Sequence, residues 1–180
     1  MFEIAILEEE AHLSTLVNTV LYTLRKSIKE IEYPHDLRKK SNMVAWEQYY
    51  KEIDALNEDI FSALNGRAGV YAILTARPTK EWHLRYIGQT DVRGSKQRIR
   101  SHIVWRNKST KSGKFTGSKF DEVQHAVVCG ADIAISFVEI APASLRHYVE
   151  EILIKTKQPE WNLKGTTLQG QSQSARSCVL

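Results

Sequence analysis

The sequence predicts an α+β fold: a short mixed or antiparallel sheet flanked by helices, with a helical extension before it. Three observations lead there. Apolar residues recur at three- and four-residue steps through the first third of the chain. Short β-prone runs begin after Gly66. From that point the order reads strand, strand, helix, strand, helix, which builds a small layer of helices on a sheet.

The elements follow in order. Residues 6–30 read as a helix, because Leu7, Leu13, Leu16, Val17, Val20, Leu21, Leu24 and Ile28 fall on one stripe. Tyr33-Pro34 interrupts it, since proline disfavours helical backbone in the residue before it. A second helix is expected over about 41–64, with Trp46, Tyr49, Tyr50, Ile53, Leu56 and Ile60 on one side and Asn65-Gly66 as its stop. This third reads as a packing or positioning extension with no chemistry of its own. Residues 69–74 and 83–88 form two strands around the turn at 77–80, and so a hairpin. Residues 95–106 read as a helix and 132–140 as a third strand. Pro142-Ala143-Ser144 opens a last helix, with Ser144 as its expected N-cap and Pro159 beyond its end. Three segments result: an extension over 1–65, a central domain over 66–165, and a polar, Ser/Gln-rich tail over 166–180 with the composition of a disordered segment.

Composition narrows the class. Hydrophobic residues at 42% and charged residues at 26% give an ordinary globular balance. No apolar run reaches the ~18 residues of a membrane span, and the start lacks a basic region followed by an apolar one. Cys129 and Cys178 show neither CxxC spacing nor a His partner pattern, so no zinc site or disulfide framework is indicated. A reducing cytoplasm is the expected location. The charge is divided: residues 1–65 hold seven Lys/Arg against twelve Asp/Glu, and residues 66–180 hold eighteen against nine. Residues 93–119 contain nine basic residues and no acidic one. Such a run is either a solvated basic loop or the footprint of a polyanion, most often nucleic acid.

The motifs lie in the central segment. Gly69-Val70-Tyr71 stands on the first strand of the hairpin and Tyr86-Ile87-Gly88 on the second, with Tyr86 fifteen residues on from Tyr71. Arg98 and His102, four apart, share one face of the next helix. Glu150 is followed twelve residues on by Asn162, after Pro159. Taken singly, Tyr71 and Tyr86 read as ordinary strand tyrosines, Gly88 as a turn residue, Arg98 as one more surface charge, and His102 as a partly buried helix residue. Glu151 competes with Glu150, because both lie at similar angles from the apolar stripe of their helix. Together and in order, these residues resemble the GIY-YIG nuclease family over about residues 67–164. The match departs at Gln89, where several family members carry a lysine after the second tripeptide; Lys96 is the cation considered in its place.

The resemblance implies a phosphodiester hydrolase that uses one divalent ion, Mg²⁺ or Mn²⁺. The chemistry requires a base to take a proton from water, a fixed cation to meet charge developing on phosphoryl oxygens, and a metal to polarise the phosphate. Glu150 is the expected metal ligand, as a hard oxygen donor. Arg98 suits a phosphate clamp, being always charged and bidentate. The family's base is a signature tyrosine; Tyr71 is favoured over Tyr86, and a phenol titrating near 10 needs help to ionise. His102 would orient the water or share the base role, and Asn162 would hold the geometry. The expected partner is double-stranded DNA. Lys96, Arg100, Arg106, Asn107, Lys108, Lys111, Lys114 and Lys119 are the candidate contacts, centred on a basic loop at 105–119. No zinc-finger spacing or helix-turn-helix is visible, so the chain resembles a stand-alone type II restriction endonuclease, acting as a homodimer or cutting the strands in turn. The alternatives are a repair or homing nuclease, or a non-catalytic DNA-binding protein on a decayed nuclease domain.

Overall fold

The computed structural model describes residues 2–39, 43–77, 81–105 and 118–163. Helix α1 (Phe2–Lys26) leads into a three-residue strand, β1 (Lys29–Ile31), and a 3-10 turn at His35–Lys39. Helices α2 (Met43–Leu56) and α3 (Glu58–Leu64) follow, then β2 (Gly69–Ala76) and β3 (His83–Thr90). Helix α4 (Ser95–Ile103) precedes α5 (Phe120–Val128), β4 (Asp132–Glu139), α6 (Arg146–Lys157) and the short α7 (Glu160–Leu163). The architecture is α+β. The four strands lie in the order β1-β4-β2-β3, and every pairing is antiparallel.

Strand β2 is central, and all eight of its residues are buried. That explains its sequence: a strand covered on both faces reads as a continuous apolar run instead of an alternating one. On one face Tyr71, Ile73, Ile133 and Ile135 pack with Ile99 and Ile103 of α4, Phe120 and Val127 of α5, and Trp46, Ile53 and Phe61 of α2 and α3. On the other, Val70, Ala72, Leu74 and Ile87 pack with Val20 and Leu24 of α1 and Val149 and Leu153 of α6. The N-terminal third therefore contributes to both cores and adds a strand to the sheet edge at β4.

The structure corrects several local expectations. The first helix stops at Lys26 and the chain turns into β1. The long second helix breaks at Asn57, which is 1% exposed. Its amide donates to the carbonyls of Ile53 and Glu32, and its Oδ1 accepts from the Glu32 backbone N–H. The side chain captures backbone groups that a continuous helix would use. Ser144 does not cap: the chain passes through a 3-10 turn at Ala143–Leu145, and α6 starts with no side-chain cap bond. Helices α5 and α7 were not expected. The loop at 106–117 and the tail lie outside the described residues.

Candidate active site

Two glycines set the geometry. In the β2–β3 register Tyr71 stands opposite Gly88, and Ile73 opposite Tyr86. A Cβ on Gly88 would lie 2.6 Å from both Cζ and Oη of Tyr71 and 2.9 Å from Cε1 of Tyr86. Gly88 is thus no turn residue; it sits within β3 and leaves room for the two phenols. Gly69 is fixed in the same way from the other side, where a Cβ would overlap the Val138 carbonyl oxygen of β4. The tripeptides are spatial requirements of close packing.

Helix α4 brings its polar residues to this gap. The rings of Tyr71, Tyr86 and His102 form a triangle, with centroids 6.0, 5.7 and 5.2 Å apart. Tyr71 is fully buried, while Tyr86 keeps 7% exposure. Lys119, just before α5, donates its backbone N–H to Nδ1 of His102 at 2.9 Å. A backbone N–H can only donate, so Nδ1 is the bare nitrogen and the imidazole proton sits on Nε2. That proton points at the Tyr71 oxygen, 2.8 Å away. Burial, reinforced by the Arg98 and Lys119 cations, pushes the His102 pKa down to about 3 and keeps the ring neutral. His102 is a fixed donor to Tyr71, and this corrects its expected share in the base role.

Arg98 supplies a second donor: its Nε–H meets the same Tyr71 oxygen at 3.3 Å, its guanidinium also engages the Tyr86 hydroxyl, and the residue as a whole is exposed. With both lone pairs engaged, the Tyr71 proton turns toward its remaining polar neighbour, the Tyr86 hydroxyl. Burial pushes the Tyr71 phenol well above its ordinary range and Tyr86 adds to this, while Arg98 opposes. The Tyr86 phenol is raised by burial and by Glu150, again with Arg98 opposing.

Glu150 closes the cluster from α6, which packs against β3. Burial raises its carboxyl pKa, and Arg98, the Gln89 backbone N–H and Arg146 hold it back down. Glu151, one residue on, is exposed. The structure therefore separates the two glutamates that helical periodicity could not. Asn162, on α7, sits behind the site. Its Oδ1 accepts from the Ile87 N–H and its Nδ2 donates to the Ile87 carbonyl, each at 2.8 Å. Strand β3 is the sheet edge, so Asn162 acts as the missing strand partner and fixes the residue between Tyr86 and Gly88.

The expected DNA contacts divide. Lys96 is not at the site: its Nζ lies 3.0 Å from Glu58 on α3. Arg100 forms a two-pronged pair with Asp54 of α2. Lys119 adjoins the cluster, with Nζ 5.6 Å from the Tyr86 ring centre and 3.8 Å from Glu122. Arg106, Asn107, Lys108, Lys111 and Lys114 lie outside the described residues. Sequence reasoning missed Arg146, whose Nε–H donates to Gln89 Oε1 at 2.9 Å. A signal was available: Arg146 precedes Glu150 by four residues and so shares its helical face.

Among the described residues, no group of three or more His, Cys, Asp or Glu could enclose a metal. The donor set is a single hard carboxylate, partly exposed, beside two guanidinium groups. It fits an ion that completes its shell with water and phosphate, as Mg²⁺ does, and does not fit one that needs an all-protein cage. Among the described residues, no helix is long and apolar enough to cross a membrane. Comparison with protein-family models, curated proteins and solved structures finds no match to the chain.

Proposed function

We propose that the chain is a metal-dependent DNA endonuclease of the GIY-YIG type and, within that class, a site-specific type II restriction endonuclease. One observation carries the reading: two fixed N–H donors, from His102 and Arg98, converge on the Tyr71 oxygen in a site that also holds Glu150. A buried phenol gains little by such an arrangement unless it must carry negative charge. Donors aimed at where charge develops are the usual device for that in a water-poor site.

The residues then take these parts. Tyr71 and Tyr86 act as one coupled base, with the charge resting on Tyr71 under its two donors. In the reactive state the Tyr71 proton has left to solvent through Tyr86, whose hydroxyl then donates to the Tyr71 oxygen. Tyr86, nearer the opening and beside Glu150, takes the proton of the attacking water as it passes its own inward. Arg98 leaves part of its guanidinium free for phosphoryl oxygens. Glu150 holds Mg²⁺ or Mn²⁺, one ion per site, and when bound the ion supplies Lewis-acid polarisation of the phosphate. Asn162 and Gly88 keep the phenols in place. Double-stranded DNA would be held by Lys119 and the basic residues of the loop, while Lys96 and Arg100 would first have to leave Glu58 and Asp54. A homodimer would cut both strands of a palindrome together.

The test is incubation of supercoiled plasmid and phage DNA with the protein, with and without Mg²⁺. Metal-dependent nicking and discrete fragments are expected. Metal-dependent cutting to a smear would remove the restriction assignment, and DNA binding without cutting in Mg²⁺ or Mn²⁺ would remove the nuclease.

A further inference from the structure

We propose that Arg146 is a second phosphate-contacting guanidinium of this site and that Gln89 is its positioning residue; this rests on the nuclease reading. Five part-buried arginines are described, and four have a carboxylate: Arg38 with Asp132, Arg67 with Glu139, Arg85 with Glu160 and Arg100 with Asp54. Among the described residues, Arg146 alone of these five has none at ion-pair distance. Glu150 feels its charge from beyond that distance, and a part-buried cation with no carboxylate in contact is costly unless an anion arrives.

Two neutral acceptors hold the guanidinium. Its Nε–H donates to Gln89 Oε1 at 2.9 Å and its Nη1–H to the Ala143 carbonyl at 2.6 Å. An amide orients an arginine without neutralising it, and this is what a phosphate site needs. Both partners flank the candidate metal ligand. Gln89 follows Gly88 directly, and its backbone N–H supports Glu150, while Arg146 lies one helical turn before Glu150 and adds to the positive field on it. Arg98 from α4 and Arg146 from α6 therefore approach Glu150 from two elements, so that one phosphate at Glu150 can be met by two guanidinium groups, each placed to bind its oxygens.

Four full-length variants test this: Arg146→Ala, Arg146→Lys, Gln89→Glu and Gln89→Ala. Arg146→Ala is expected to slow single-turnover plasmid cleavage in Mg²⁺ by about 10²–10³-fold. It should also lower the slope of log affinity against log salt for a DNA duplex by about one. Arg146→Lys should recover part of both. Gln89→Glu separates positioning from plain structure. The acid would keep the bond to Arg146 and hold or raise the melting temperature, yet it should slow cleavage at least as much as Gln89→Ala, because it neutralises the cation. Wild-type rates in Arg146→Ala, with Glu150→Gln dead, would overturn the proposal and leave the nuclease standing. If the wild type binds DNA but does not cut, the nuclease reading fails, and the salt slope still decides Arg146: an unchanged slope overturns it. Loss of both binding and cutting in the wild type overturns both.

Discussion

Two faces of the nine-residue helix α4 differ in what they hold. Lys96 and Arg100, one turn apart, face α3 and α2, where Glu58 and Asp54 bind them. Arg98 and His102, also one turn apart, face the sheet, where the Tyr71 oxygen receives both. The lesson concerns charge. A run of nine basic residues without an acidic one looks like a uniform polyanion surface. In the fold, the acidic N-terminal third reaches across and neutralises one side of the helix. The side that remains cationic is the one aimed at the phenols and Glu150.

The largest break in this comparison is at its polar face. Tyr71→Phe removes the oxygen on which both donors converge. Plasmid cleavage should fall by about 10²–10⁴-fold. Leaving the buried His102 Nε2–H unpaired should also cost about 1–3 kcal/mol in urea unfolding. Unchanged cleavage would remove Tyr71 from the base. Gly88→Ala comes next, because its methyl would overlap Tyr71. We expect a loss of about 1–3 kcal/mol and a further drop in activity, and a crystal structure of the variant should show displaced phenols. A variant of wild-type stability and rate would mean that the two tyrosines are not fixed by that gap.

A smaller effect tests His102. Its folded pKa of about 3 lies below the ordinary 6.5. The stability it contributes as a neutral ring is therefore complete above pH ~6.5. It is lost as pH falls from ~6.5 toward 3, at up to about 1.4 kcal/mol per pH unit, because the unfolded chain binds the proton first. Urea midpoints of the wild type should fall faster than those of His102→Gln between pH 6.5 and 4.5, and parallel curves would show that His102 is not held neutral. The smallest effect lies on the other face. Asp54→Asn frees Arg100 and should cost about 1 kcal/mol or less. It should also steepen the salt dependence of DNA binding by about one ion. No change in that slope would mean that Arg100 faces no DNA even when released.

How much of this was legible follows from where each signal resides. The hairpin, the third strand and the apolar stripes were readable because burial imposes periodicity on side chains. The six polar residues were readable through their order along the chain. Strand β1 was not, since three residues with only Ile31 buried carry no period. The break at Asn57 was hidden because a buried asparagine that bonds Glu32 depends on a contact twenty-five residues away. The tautomer of His102 is fixed by a backbone N–H, and a backbone donor has no residue type to read. The choice between Glu150 and Glu151 needed the position of β3 and Arg98. The pairing of Arg146 with Gln89 was hidden by its span of fifty-seven residues.

The central claim, that the phenol cluster and Glu150 form one hydrolytic site, is tested most directly by comparing Glu150→Gln with Glu151→Gln in Mg²⁺-dependent plasmid cleavage, with duplex binding measured alongside. The account predicts that Glu150→Gln loses cleavage by about 10³-fold or more while still binding DNA. Glu151→Gln, altered at an exposed position one residue on, should cut at the wild-type rate. Equal activity of the two variants would contradict it.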